Sequence, residues 1–342
     1  LAQLLQPSKG ESAADCINTL AALHSDCINV STVDPQALME ARRDPEKTET
    51  VTLRARRFTR EISRVTITTS FSRLNVPEAE LSKIESDPFE EIAPPIPPPT
   101  DEMDLSIFTF DRGRRTGDFF HDVLEQMDFQ NLENLSELIE SKLGIYGFAR
   151  TSHRPAINQL LERLPEIELE AGMRLRDISV QERISECEFC HPLAHLTPSI
   201  LAKSVGQWKT VGADVRTRLG KLRFDPIEGY MRGFIDLLFR FKDRYFVVDW
   251  KSNWLGNQPS DYGTDGMHRS MLKHNYYLQY HLYTLAADRF LKKRVPGYSY
   301  QTHFGGVYYV FLRGIDPAGS SRGIFHHRPD PKTVASLRKL IA

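Results

Sequence analysis

Three residues carry the clearest chemical signal in this chain: Asp236, Asp249 and Lys251. Both aspartates interrupt apolar runs, Phe234-Ile235-Asp236-Leu237-Leu238-Phe239 and Tyr245-Phe246-Val247-Val248-Asp249-Trp250. A carboxylate in such a run is costly unless a cation or hydrogen-bond donors meet it. Lys242-Asp243-Arg244 separates the two runs, which gives the pattern of a β-hairpin. If the chain turns at Lys242-Asp243, Phe241 faces Arg244, and counting back in register sets Asp236 opposite Asp249. Directly opposed residues share a face and lie close together. Lys251, two residues beyond Asp249, points to that same face. Two facing carboxylates repel unless a metal lies between them, and hard oxygen ligands favour Mg²⁺ or Mn²⁺. The Lys251 ammonium could orient or activate a water, or stabilise negative charge on a phosphate. The same residues also admit a plainer arrangement: a buried Asp–Lys ion pair, with the other aspartate exposed at a strand end.

Asp236 followed by Asp249-Trp250-Lys251 resembles the D…D-x-K core of the PD-(D/E)XK nucleases. More specifically, Gly229-x3-Gly233-x-Ile235-Asp236 with Val248-Asp249-Trp250-Lys251-Ser252-Asn253 resembles the RecB-type nuclease family. The stretch from Asn275 to Ala286 is similar to that family's Q-x3-Y helix. Its Gln279 and Tyr283, four apart, share one helical face and could reach the site or the DNA backbone. Gly117-x2-Phe120-His121-x2-Leu124-Glu125 resembles the family's first nuclease helix, which supplies a histidine metal ligand; here that role falls to His121. Ser70-Phe71-Ser72-Arg73-Leu74 looks like the family's junction between helicase and nuclease.

The resemblance spans about Phe108 to Leu312. It implies an α/β, restriction-endonuclease-like fold and a Mg²⁺-dependent DNA nuclease of exonuclease type, acting in recombinational DNA repair. His121, Asp236 and Asp249 would hold the metal, and Lys251, Gln279 and Tyr283 would complete the catalytic set. The implied partners are DNA, RecC- and RecD-like subunits and a RecA-like recombinase. Glu186 and Glu188, on the strand before the hairpin, could support the site from just outside it. Two other readings stay open: a non-catalytic DNA-binding or subunit-docking module that retains the fold, and a standalone endonuclease.

The surrounding elements must position these groups. Apolar spacing predicts helices over Gly117 to Asp128, Leu135 to Leu143 and Ala156 to Leu164, and a strong amphipathic helix over Tyr276 to Leu291. Ile184 to Phe189 and Val307 to Leu312 read as strands beside the hairpin. The expected core is a central mixed sheet flanked by helices. Ahead of it, Ala14 to His24 reads as a helix and Asp26 to Ser31 as a short strand. Arg54, Arg56, Arg57, Arg60 and Arg64 form a run that could track phosphates or make a solvated helix face. From Glu78 to Asp104 there are nine acidic residues against the single Lys83, with Pro94-Pro95-Ile96-Pro97-Pro98-Pro99 inside. Proline-dense sequence can neither continue a helix nor join a sheet ladder, so this reads as an extended linker. The expected organisation is a small α/β remnant of a helicase domain over 1–75, the linker over 76–105 and the nuclease domain over 106–342.

Composition removes other classes. At 342 residues, 40% hydrophobic and 26% charged, the chain is globular in character. No apolar run approaches bilayer length, so no membrane partner is expected. Leu1-Ala2-Gln3-Leu4-Leu5 lacks the features of a signal peptide, and four cysteines make no disulfide scaffold, so a reducing, cytoplasmic setting is expected. There is no Gly-x4-Gly-Lys-[Ser/Thr] loop, so ATP hydrolysis by that route is not expected. Cys187-Glu188-Phe189-Cys190-His191 matches a haem-attachment string, but a strand would splay its neighbours to opposite faces, so haem is not expected. A net charge of -1 suggests no nucleic-acid partner until the acidic linker is set aside; the rest of the chain is then net basic.

Overall fold

The sheet grows from one tight turn. The computed structural model describes residues 13–23, 29–36, 67–71, 106–316 and 321–339. In it Lys242 and Asp243 hold φ of 46° and 60°. Two successive left-handed residues make a two-residue turn whose twist matches the flanking strands, which locks the hairpin register. Phe241 then pairs with Arg244, as the sequence predicts.

The chain divides into two units, residues 1–61 and 62–342. The first contains helix α1 (Ala13–Leu23). Asn29, Val30 and Ser31 are irregular, so the strand expected there is absent among the described residues. The arginine run, the acidic proline-rich stretch and most of the expected junction lie outside the described residues.

The second unit runs β1 (Ile67–Thr69), α2 (Arg114–Gln126), α3 (Leu135–Tyr146), α4 (Arg150–Arg163), β2 (Glu168–Glu170), β3 (Met173–Arg174) and β4 (Arg183–Leu196). It continues with α5 (Pro198–Val205), α6 (Ala213–Gly220), β5 (Ile227–Phe241), β6 (Arg244–Lys251), α7 (Thr264–Lys273), α8 (Tyr276–Arg294), α9 (Tyr300–His303), β7 (Phe304–Phe311), β8 (Ile324–His327) and α10 (Pro331–Arg338). Strand β1, which the sequence reading grouped with the first 75 residues, belongs to the main sheet.

Six strands form that mixed sheet. Strand β5 is its spine. Along one edge it pairs antiparallel with β4, from Ile227 to Phe239. The other edge is shared: β1 pairs parallel with Gly229 to Met231, and β6 pairs antiparallel with Leu237 to Phe241. Residues 232–236 lie between these two partners, with no strand beside them on that edge among the described residues. Beyond β6 the sheet continues through parallel β7 and antiparallel β8.

Two apolar layers flank the sheet. Phe119, Phe120, Val123 and Leu124 of α2 pack with residues of α3 and α4 against Val248 and Trp250. On the other side Leu278, Leu282 and Leu285 of α8 pack against Val247 and Val307. Helix α8 is not the strongly amphipathic helix that its sequence suggests. Tyr276 through Asp288 are all buried, and some of its polar side chains have partners inside the protein. Asp288 accepts ion pairs from Arg338 at 2.5 Å and Lys292 at 3.2 Å, and the His281 ring stacks on Trp208 at 3.9 Å. No helix among the described residues is long and apolar enough to cross a membrane.

Candidate active site

The gap in the edge of β5 is where the predicted residues meet. The β5–β6 ladder ends at Leu237↔Val248, one step short of the expected Asp236–Asp249 pair. At that step the strands part, and the Asp236 carboxylate accepts the Trp250 N–H at 2.7 Å. Its other neighbour across the sheet is β4, where Ser185 pairs with Leu237 and Cys187 with Ile235. Glu186, between them, holds φ of 48°, a left-handed conformation that a glutamate adopts only under local constraint. Acids therefore stand on three adjacent strands: Glu186 on β4, Asp236 on β5 and Asp249 on β6.

Helix α2 brings the imidazole. Its buried phenylalanines seat it on the sheet, and Lys142 of α3 fastens it with an ion pair to Asp122 at 2.7 Å. Tyr146 also donates to Asp122, at 3.3 Å. His121 Nδ1 then lies 3.5 Å from Asp236 Oδ2 and 4.0 Å from Glu186 Oε1. One donor atom from each of His121, Glu186 and Asp236 lies within 4.8 Å of the others. Asp249, expected as a ligand, is not in that set; its Oδ2 lies 2.5 Å from Lys251 Nζ.

Lys251 is held from the α8 side. Its Nζ donates to Gln279 Oε1 at 3.3 Å and lies 4.1 Å above the Tyr276 ring. Tyr309 of β7 donates to the same Gln279 oxygen at 2.8 Å, and the Gln279 amide donates to the Tyr283 hydroxyl at 3.1 Å. Gln279 and Tyr283 thus share a face as expected. Both are buried beneath the lysine and line the same cleft of about 760 Å³ as His121, Asp236 and Asp249.

Burial of the acids shows in their proton affinities. Burial, then the nearby Asp236, pushes Glu186 up to about 7. Burial raises Asp236 to about 6 against the pull of Lys251 and the Trp250 N–H. Burial also raises Asp249 to about 7, with Lys251 opposing and Asp236 adding to the rise. Burial pulls Lys251 down, but Asp249, then Tyr276 and Asp236, hold it above its ordinary range. Burial lowers His121, so a neutral, ligating imidazole is favoured. A divalent cation among these donors would offset the cost of ionising clustered carboxylates, and an imidazole with carboxylates is a donor set such a cation accepts. The residues present fit a metal.

Some features were not readable beforehand. Glu186, expected just outside the site, lies at ligand distance, and only its φ explains how a mid-strand residue turns there. Glu188, grouped with it, instead pairs with Arg232 at 2.5 Å on the exposed sheet face. Tyr309 and Tyr276 looked like ordinary strand and helix aromatics. Ser70 and Phe71, just past β1, also line the cleft. Cys187 is buried and Cys190 exposed, on strand β4.

Comparison with known proteins adds the lineage. The model of the PD-(D/E)XK nuclease superfamily matches residues 100–340. RecBCD enzyme subunit RecB of Escherichia coli (strain K12) is 35% identical over 244 residues, covering 71% of this chain and 20% of that protein. The RecB subunit of Mycolicibacterium smegmatis is 29% identical over 333 residues, covering 84% of this chain and 30% of that protein. The chain thus spans less than a third of the length of these relatives. The matched region contains every strand of the sheet except β1, and every residue of the donor set, and the chain belongs to the PD-(D/E)XK nuclease superfamily.

Proposed function

We propose that this chain is the nuclease part of a RecBCD-like recombinational repair enzyme, and that it hydrolyses DNA phosphodiesters with Mg²⁺, or Mn²⁺ in its place. The observation that carries this reading is the convergence of His121, Glu186, Asp236, Asp249 and Lys251 at one opening in the sheet. His121, Glu186 and Asp236 would hold the metal, with Asp249 close by. When bound, the metal would polarise the phosphate and lower the pKa of an attacking water. Lys251, paired with Asp249 and donating to Gln279, is held as a cation; it would stabilise charge developing on the phosphate. Gln279, Tyr283 and Tyr309 fix where that cation points. His121, left neutral by burial, contributes a ring nitrogen and no competing charge.

Similarity to RecB subunits of RecBCD enzymes supports action within an assembly with RecC- and RecD-like subunits; exonuclease-type cleavage and a RecA-like recombinase as a further partner are part of the same proposal. The part of residues 1–75 ahead of β1 would then be the end of a helicase domain, and 76–105 an extended linker between β1 and the rest of the nuclease. The test offers the chain linear and covalently closed DNA, with Mg²⁺ or with EDTA. Degradation of linear DNA alone, abolished by EDTA, is expected. Equal cutting of the closed circle would point to a standalone endonuclease. Binding without any cutting would favour a docking module.

A further inference from the structure

Upstream of Asp236, on the same strand, the cleft continues as a row of side chains. Tyr230, Arg232 and Phe234 alternate with buried Met231 and Ile235, so the three share one face of β5. That face is open: Tyr230 retains 45% and Phe234 41% of its surface. Large aromatics exposed at alternate positions of one strand, with a guanidinium between them, are not accounted for by packing. The Arg232 guanidinium lies 5.5 Å from the Phe234 ring centre, and its Nε donates to Glu188 at 2.5 Å, both side chains half-exposed. The next position in the alternation is Asp236, and Arg232, Phe234 and Asp236 line one cleft. β1 pairs beside Tyr230, and from Arg232 to Asp236 this edge of β5 is without a strand among the described residues.

We propose that Tyr230, Arg232 and Phe234 form a track that holds an unpaired nucleic-acid strand and delivers its phosphodiester to the metal-ligand set at Asp236. The proposal rests on the nuclease reading and deepens it. In a duplex the base faces are stacked on one another; only an unpaired strand can offer them to protein rings, and each ring so used is tolerant of sequence. Side chains two residues apart on a strand stand about 7 Å apart, so Tyr230 and Phe234 can each take a base with Arg232 at a phosphate between them. A half-exposed ion pair is weakly held, so a phosphate can replace Glu188 on Arg232.

The test measures binding and cleavage separately on the full chain. The probes are a fluorescent thymidine oligonucleotide and an abasic strand of the same length, which keeps the phosphates and lacks the bases. Anisotropy in Ca²⁺ gives affinity without turnover, and Mg²⁺ gives kcat and KM. The expected result for the double variant Tyr230→Ala, Phe234→Ala is a loss of affinity for the thymidine strand of about tenfold or more. KM should rise in step with kcat little changed, and affinity for the abasic strand should stay the same. Phe234→Trp should retain binding, and Arg232→Ala should flatten the salt dependence on both strands. Equal losses on thymidine and abasic strands, or none on either, would overturn the track. So would a variant that binds both strands normally but no longer retains its protein partners, since the face would then be a docking surface. Tight binding without cleavage by the unaltered chain would refute the nuclease reading while leaving the track standing.

Discussion

At the scale of single residues, the account turns on carboxylates that are costly to ionise together. Asp236 and Asp249 sit above the ordinary carboxylate range, at about 6 and about 7, and Glu186 also at about 7. A group whose pKa is raised by folding favours the folded state below its unfolded pKa, and that contribution is lost as pH rises through the folded value. Metal-free protein should therefore lose stability from these groups between about pH 4 and pH 7. Cation binding needs the deprotonated forms, so the thermal shift given by Mg²⁺ should grow across the same window. Melting curves in EDTA and in Mg²⁺ at several pH values check both; a Mg²⁺ shift independent of pH would contradict the assignment. Asp236→Asn keeps an acceptor for the Trp250 N–H but removes a buried charge. It should stabilise the metal-free protein at pH 8 by about 1 to 3 kcal/mol, abolish the Mg²⁺ shift and cut cleavage about a thousandfold or more. Asp236, Asp249 and Lys251 were legible because charge in an apolar strand has few cheap explanations. Glu186 was less so, because nothing in its neighbours' identities announces a left-handed backbone.

At the scale of elements, the site depends on two joins. Arg313, at the turn after β7, is buried and donates to the carbonyls of Ser252, Ile107, Phe110 and Asp111. It ties the end of β6, just past Lys251, to the segment that enters α2 and carries His121. Arg313→Leu leaves buried carbonyls without their donor and should cost about 3 kcal/mol or more by denaturant unfolding. Cleavage should fall as well, since His121 and Lys251 lose their common anchor. The second join is Gly233, where a Cβ would stand 2.6 Å from the Phe189 ring. Gly233→Ala should destabilise by about 1 to 3 kcal/mol and displace Phe189, which lines the cleft. The hairpin was legible because alternation and turn chemistry agree. Helix α8 reads as amphipathic from its sequence because polar residues such as Thr284 and Asp288 interrupt its apolar run, and their burial becomes visible only in the packed structure. Strand β1, three residues long, is too short for periodicity to reveal.

At the scale of the whole molecule, the sheet recruits a strand from ahead of the acidic, proline-rich stretch. A chain starting at residue 62 should keep the cleft and melt as the full chain does. One starting at residue 76 loses β1, Ser70 and Phe71, bares a further length of the β5 edge, and should melt lower and cleave more weakly. The mixed α/β class was plain from the order of elements, whereas the net charge pointed away from nucleic acid until the acidic stretch was separated. On the proposed reading these clustered acids work through a divalent cation on DNA. The most direct measurement compares degradation of linear DNA by the unaltered chain and by Asp249→Ala, each with Mg²⁺ and with EDTA. Degradation by the unaltered chain in Mg²⁺ only is expected, with a loss of about a thousandfold or more in the folded variant. Equal degradation by both chains would contradict that reading.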